Sequence, residues 1–212
     1  MEFFSYIITA LAAYLLGSIP TGYFVAKAKG IDIRNVGSGN IGATNVFRIL
    51  GKPAGIFVLF VDALKGFLAV WLAKKILPEL SISSEILERH MIVAGVGAIL
   101  GHNYTCFLKF KGGKGIATSA GVLIALAPLA FLAVLTIFVL VVFVSRYISL
   151  GSVIAAFSLP FAVWLCDGSR TMIVVMAALG ALAIYKHKAN IGRLLNGTEN
   201  KFGRKKTAEA AK

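Results

Sequence analysis

Lys109-Phe-Lys111-Gly112-Gly113-Lys114-Gly115 sets three lysines and three glycines within seven residues, between two apolar runs. Glycine lets a backbone turn tightly and aim several N–H groups at one point, and lysine adds point positive charge there. The pattern reads as a cradle for an oxyanion, phosphate foremost. It is not a Walker A loop, because Lys114 is followed by Gly115 rather than Ser or Thr and the upstream glycine spacing is missing, so ATP hydrolysis is not expected. A plain electrostatic anchor at lipid headgroups would use the lysines but has no need of the three glycines, which weaken helix.

Three other polar segments carry candidate chemistry. Gly37-Ser38-Gly39-Asn40-Ile-Gly42 formally matches a dinucleotide fingerprint, yet it follows an apolar helix rather than a strand, and the acid 20 residues on is Asp62 inside a hydrophobic run. Its useful content is Ser38, Asn40, Thr44 and Asn45 followed by Arg48. Arg grips phosphate with two parallel hydrogen bonds, and Ser38 can donate one or act as a nucleophile. The simpler reading is a loop capping a helix, with Thr44 or Asn45 as the N-cap. Arg146-Tyr-Ile-Ser149 is the third segment. The fourth runs from Lys186 to Lys201 and holds His187, Asn190, Arg193 and Glu199. Its basic neighbours favour a neutral His187, suited to hydrogen bonding or base work, against a solvated interfacial histidine as the simpler reading. Glu199, among few acids there, can tie the basic segments together.

The elements that must hold these segments are membrane helices. The chain has 212 residues, 58% of them hydrophobic and 15% charged, and its mean hydropathy is +0.84, well outside the globular range. Phe3–Val25, Gly55–Ala73, Met91–Leu108, Leu150–Cys166 and Met172–Tyr185 each read as one span, several of them approaching or exceeding the roughly 20 residues that a crossing needs. Ile116–Val144 is too long for one, and Ala127-Pro128 lies inside it. It reads as two short helices turning near Pro128, with a single tilted, kinked helix as the alternative. The expected fold is an all-α integral membrane protein: a polytopic bundle of about seven transmembrane helices, some short. Asp62 and Lys65, three apart in the second helix, are expected to neutralise each other.

Charge sets the orientation. With the N-terminus outside and seven crossings, 17 of the 22 Lys and Arg residues fall on the cytoplasmic side. Lys74, Lys75, Arg89 and Arg170 fall outside and Lys65 within the membrane. Leu77–His90 and Asp167–Arg170 read as plain external links, so the unusual polar chemistry gathers on the cytoplasmic face. The +13 charge then fits anionic lipid and phosphorylated ligands, with no nucleic acid needed. Cys106 and Cys166 are too few for a disulfide framework. Phe3–Gly17 lacks the basic start of a signal peptide and reads as a retained helix. Residues 1–202 read as a single membrane-embedded domain and 203–212 as a polar, disordered tail. No metal-ligand spacing is visible, and neither metal nor cofactor is expected.

Together the four segments, Gly37–Gly51, Gly101–Gly121, Arg146–Ser152 and His187–Lys201, resemble the bacterial PlsY family of glycerol-3-phosphate acyltransferases. They span most of the chain in the family's order. Family variants read Gly-His-x-Phe-Pro where this chain has His102-Asn-Tyr104-Thr105. The resemblance implies transfer of a fatty acyl group from long-chain acyl-phosphate to the sn-1 hydroxyl of glycerol 3-phosphate, giving lysophosphatidic acid and inorganic phosphate, with a cytoplasmic-side active site in the bacterial inner membrane. It implies Ser38, Arg48, Lys111, His187 and Asn190 as catalytic residues. Gly39, Asn40, Thr44, Asn45, Lys109, Gly112, Gly113, Lys114, Gly115, Arg146, Ser149, Arg193 and Glu199 are implied as substrate-binding. The lipid bilayer and the enzyme that supplies acyl-phosphate are the implied partners.

The residues suit that chemistry. No His-x4-Asp base is present: the fifth residue after His90, His102 and His187 is Gly95, Phe107 and Gly192. Acyl-phosphate carries its own leaving group, and a phosphate monoester with a second pKa of about 6 can take the attacking hydroxyl's proton. Direct, substrate-assisted transfer without an acyl-enzyme is therefore expected. The competing class is a transporter or channel for an organic phosphate, which calls for midplane charges and related halves; only Asp62 and Lys65 lie at that depth.

Overall fold

The computed structural model describes residues 2–77, 83–166 and 168–203. Among the described residues, helices α1 (Glu2–Ser18), α2 (Thr21–Lys27), α3 (Ala43–Leu50), α4 (Lys52–Ile76), α5 (Ser84–Asn103), α6 (Ile116–Leu126), α7 (Pro128–Ser145), α8 (Ile148–Leu165), α9 (Arg170–Lys186) and α10 (Lys188–Leu195) follow one another, with 3₁₀ turns at Ile33–Asn35 and Cys106–Leu108. They form two compact units, Met1–Phe131 and Leu132–Lys212.

Prolines and caps decide where the apolar runs become helices. The run expected as one helix over Phe3–Val25 is broken between α1 and α2, because Pro20 has no N–H and restricts Ile19 before it. The 29-residue run after Gly115 is likewise two helices, α6 and α7, parted at Ala127 before Pro128. α5 starts within the expected external link: Ser83 caps it by accepting from the Ile86 N–H at 3.3 Å, and Arg89 pairs with Glu85 one turn away. Arg170, also assigned to a link, opens α9, which Ser169 caps. The remaining parts of those links, residues 78–82 and Asp167, and the tail over 204–212 lie outside the described residues.

Five candidate spans among the described residues are long and apolar enough to cross a bilayer: Glu2–Lys27, Lys52–Ile76, Ser84–Leu108, Pro128–Ser145 and Ile148–Leu165. α9, with 17 residues, reaches about 25 Å. α6 has 11 and reaches about 16 Å, roughly half a hydrocarbon core.

In the first unit helices meet backbone to backbone through small residues, the packing that lipid-embedded helices use because apolar side chains gain little by leaving lipid. A Cβ on Gly101 would run into the Tyr14 carbonyl of α1, and one on Gly121 into the Ala63 carbonyl of α4. The break at Pro20 is closed by polar groups from α4 and from the segment after α5. The Ile19 carbonyl accepts from Lys65 Nζ at 2.9 Å and the Ser18 carbonyl from the Thr105 hydroxyl at 2.5 Å. Lys65 and Asp62 pair at 2.8 Å with both side chains buried, as their spacing predicts. In the second unit, Pro160 deprives the Ala156 carbonyl of its helical donor, and Gly180 of α9 packs directly against that carbonyl.

Breaking one half of a buried pair strands the other charge, which typically lowers stability by about 3–5 kcal/mol, whereas removing both halves is far milder. Asp62→Asn and Lys65→Met are each expected to depress the unfolding midpoint of the detergent-solubilised protein sharply. The double variant recovers at least half of that loss in the same thermal scan.

Candidate active site

The segment around Ser38 is organised by one buried amide. Asn45, 2% exposed, accepts the Ser38 N–H on Oδ1 at 2.9 Å and donates from Nδ2 to the carbonyls of Val36 (3.1 Å) and Asn40 (3.0 Å). Asn40 Oδ1 in turn takes the Gly42 N–H at 2.9 Å. The N-cap of α3 is thus Gly42, with no side chain capping it, rather than Thr44 or Asn45. Asn45 sits in the first turn because its side chain is needed to close the loop beneath it. Thr44 and Arg48, four residues apart, share the exposed face of α3, and Ser38 and Gly39 are exposed above the loop.

The lysine–glycine segment follows from the C-terminal end of α5. The N–H groups of Gly112 and Gly113 donate to the carbonyls of Asn103 (3.2 Å) and His102 (3.0 Å), and those of Phe110 and Lys111 to Thr105 (2.9 Å) and Leu108 (3.1 Å). The expected cradle of loop amides therefore takes another form: these four amides fasten the loop to itself and to α5. What faces outward is side chains, with Lys109 and Lys111 exposed and Lys114 half-buried. The glycines serve close approach, since a Cβ on Gly113 would occupy the place of the His102 ring. Gly115 has φ +81°, precedes α6 as its N-cap, and leaves the first amides of α6 without a capping side chain. Leu108 is buried with Ile33, Ile41, Val46 and Val58, so this loop and the Ser38 loop grow out of one apolar cluster.

In the second unit a single carboxylate gathers the candidates. Glu199 Oε1 accepts from the Ser149 hydroxyl (2.9 Å) and Asn190 Nδ2 (2.8 Å), and Oε2 from Arg193 Nε (2.6 Å). Burial alone would push this carboxyl up, but the bonds from Asn190, Arg193 and Ser149 outweigh it and hold the acid below its ordinary value of 4.5. His187, buried where α9 bends by 57° into α10, has Nδ1 2.7 Å from the Ala183 carbonyl. A neutral ring then carries its proton on Nδ1 and its lone pair on Nε2. Arg146 stands at φ +64° in the α7–α8 turn, exposed, and its carbonyl accepts the Phe202 N–H at 2.7 Å.

The cations divide by partner. Arg34, Arg89 and Arg193 are each paired with an acid, and Arg34 holds Asp32 down to about 2 through its hydrogen bonds. Arg48, Lys109 and Lys111 have no ion pair among the described residues. They are among the charges open to an anion. No group of three His, Cys, Asp or Glu side chains gathers as a metal site among the described residues. Sequence reasoning singled out the turn into this loop but gave His102 and Asn103 no role; the signal was their adjacency to it. His102 packs under Gly113 and Asn103 under Gly115.

The profile of the family described as Glycerol-3-phosphate acyltransferase matches residues 7–197. The chain belongs to that family. The glycerol-3-phosphate acyltransferase of Geotalea daltonii is 49% identical over 201 residues, covering 94% of this chain and 99% of that protein. That of Clostridioides difficile is 46% identical, covering 97% of this chain and 100% of that one. Two crystal structures of PlsY (YgiH), an integral membrane glycerol 3-phosphate acyltransferase, share its fold. The glycerol 3-phosphate form aligns with TM-score 0.84 at 42% identity, over 94% of this chain and 96% of that one. The lysophosphatidic acid form aligns at 0.82 and 40%, with the same coverage. With several long apolar helices, this member of the family is a multi-pass membrane protein.

A carboxyl held below its ordinary value contributes stability that is complete above pH 4.5 and is lost as pH falls through the depressed value. Amide protection across 187–199, taken relative to the intrinsic exchange rate at each pH, is therefore expected to hold above the ordinary value of 4.5 and to fall as pH drops through the depressed value. Glu199→Gln should exchange about tenfold faster at neutral pH, since charge-assisted bonds are lost, and show no such acid transition.

Proposed function

We propose that the chain is an acyl-phosphate-dependent glycerol-3-phosphate acyltransferase, a single membrane-embedded domain over residues 1–202. The observation that carries this reading is the likeness to PlsY at 42% and 40% identity, in forms named for glycerol 3-phosphate and for lysophosphatidic acid. The second is the first with an acyl group added. A phosphate is common to both, and among the described residues cations without acid partners stand at the loops whose residues resemble the family's motifs.

Acyl-phosphate as donor is supported by chemistry. It brings a leaving group that needs no protonation, and this chain has no His-x4-Asp base. The sn-1 hydroxyl oxygen of glycerol 3-phosphate attacks the acyl carbonyl carbon, the carbon–oxygen bond to phosphate breaks, and inorganic phosphate leaves. The hydroxyl's proton passes to a phosphate oxygen, so no acyl-enzyme forms. Arg48 and Lys111 hold phosphate and stabilise the charge that develops on the carbonyl oxygen, and Ser38 orients the reacting group by hydrogen bonding. His187 and Asn190 position glycerol 3-phosphate; Asn190, already fixed by Glu199, approaches its ligand preorganised. Lys109, Lys114, Arg146, Ser149 and Arg193 support the phosphates. Seven crossings, an external N-terminus, a cytoplasmic-face site in the inner membrane and functional coupling to the enzyme supplying acyl-phosphate complete the reading.

Purified protein given palmitoyl phosphate and glycerol 3-phosphate should form lysophosphatidic acid and release one phosphate per acyl group. Palmitoyl-CoA should give no product; activity with the thioester alone would overturn the donor assignment. Arg48→Ala should lower kcat/KM by about 10²–10³. Mass spectrometry of enzyme quenched in turnover should find no acyl group on Ser38 or Cys106, and finding one there would overturn direct transfer.

A further inference from the structure

The lysine–glycine loop is seated on the C-terminal end of α5. Three observations converge on His102, the penultimate residue of α5. Its carbonyl accepts the Gly113 N–H at 3.0 Å. Its imidazole lies under the same glycine, and the Nε2 edge is the nearest atom to the place a Gly113 Cβ would take. Its Nδ1 stands 3.6 Å from Asp62 Oδ1, with His102 4% and Asp62 2% exposed. Asp62 is itself held from two sides, by the Thr21 hydroxyl at 3.1 Å and by Lys65 at 2.8 Å, and Lys65 is fixed on the Ile19 carbonyl.

We propose that His102 is a positioning residue for phosphate binding: oriented by Asp62, its ring is the floor on which Gly113 rests, and it sets where Lys111 and Lys114 stand. This rests on the reading that the Lys109–Gly115 loop binds a substrate phosphate. Four side chains from three helices, all in the first unit, end in one loop contact. A polar group buried among helices with no role in holding them together would be expensive to retain, and here the chain of contacts leads from the helix break to the loop. Lys109 and Phe110 both lie at positive φ, 54° and 59°, a conformation that non-glycine residues hold only when their surroundings impose it. The His102–Gly113 contact, with the Thr105 carbonyl that takes the Phe110 N–H, supplies that imposition.

The two ring nitrogens can be replaced separately. Asn sets its amide nitrogen near Nδ1 and leaves the space under Gly113 empty, whereas Gln reaches toward Nε2 and fills it. His102→Asn should raise KM for glycerol 3-phosphate or for acyl-phosphate about tenfold with kcat within about twofold, as expected for lost uniform binding. Exchange of the Gly112 and Gly113 amides should accelerate by a similar factor. His102→Gln should lie closer to wild type on both. Gly113→Ala alone should be defective, because its methyl meets the ring, and combining it with His102→Asn should restore slow exchange and lower KM again by filling the vacated space. A purely global loss of stability would lower the unfolding midpoint without that mutual rescue. Unchanged exchange and KM in His102→Asn, or a double variant no better than its worse parent, would overturn the proposal. Faster exchange with both KM values unmoved would uphold His102 as the seat of the loop while overturning instead the assignment of a phosphate to that loop.

Discussion

The salt bridge between Lys65 and Asp62 is the constraint around which the first unit is organised. A charged pair inside apolar helices is tolerable only if every remaining donor and acceptor finds a partner. Lys65 uses one proton on Asp62 and another on the Ile19 carbonyl; Asp62 takes the Thr21 hydroxyl as well and faces His102. The carbonyl that Lys65 needs is accessible because the backbone turns at Pro20. Removing the proline break would also move Thr21, since it opens α2 directly after it. The broken first helix, the buried pair and the end of α5 are therefore mutually dependent, and the lysine–glycine loop inherits their positions.

That dependence changes how the glycines are understood. A loop with this composition suggests amides free to bind an anion, but four consecutive amides of this one are already engaged. The loop is a rigid mount for side chains rather than a backbone nest. Glycine is required at positions 112 and 113 because the loop lies against α5 too closely for a Cβ, and at 115 because the chain enters α6 at positive φ. On the proposed reading phosphate recognition would fall to Lys109, Lys111 and Lys114 and the first turn of α6, whose uncapped amides attract negative charge. Point charges on flexible stems recognise phosphate less selectively than a nest of amides would, so on that same reading the burden of selectivity would pass to Arg48 and its planar, bidentate group.

How much of this the sequence discloses depends on the range of the interactions involved. Helical character was legible because lipid demands long apolar runs, and the breaks at Pro20 and Pro128 differ in legibility for a physical reason. The second lies in a run too long for one span, so length exposes it, whereas the first lies in a run of ordinary length. The start of α5 was misjudged because Glu85, Glu88 and Arg89 look like a polar link, although Ser83 caps a helix there. The pairing of Asp62 with Lys65 was legible from helical spacing. Its extension to Thr21 and His102 was not, since those contacts span 41 and 40 positions along the chain. Asn45 was legible as polar and important, but its role in closing the loop depends on carbonyls that only the folded turn brings within reach.

In each unit one inward acid, Asp62 or Glu199, organises the groups around it. A chain with 22 basic and 9 acidic residues cannot neutralise every cation internally, and it places its buried acids where they organise rather than where they would merely cancel charge. Asp62 orders a helix break and a loop; Glu199 orders Ser149, Asn190 and Arg193 with three donors on two oxygens. Among the described residues Arg48, Lys109 and Lys111 are left without acids, and like charges repel one another. On the proposed reading a bound phosphate would relieve that repulsion, so part of its Coulomb energy would be released on binding. With Asp62 engaged by Lys65 and Thr21 and Glu199 by three donors, the buried acids are committed to the scaffold, and on the proposed reading the positive excess is left for a phosphate.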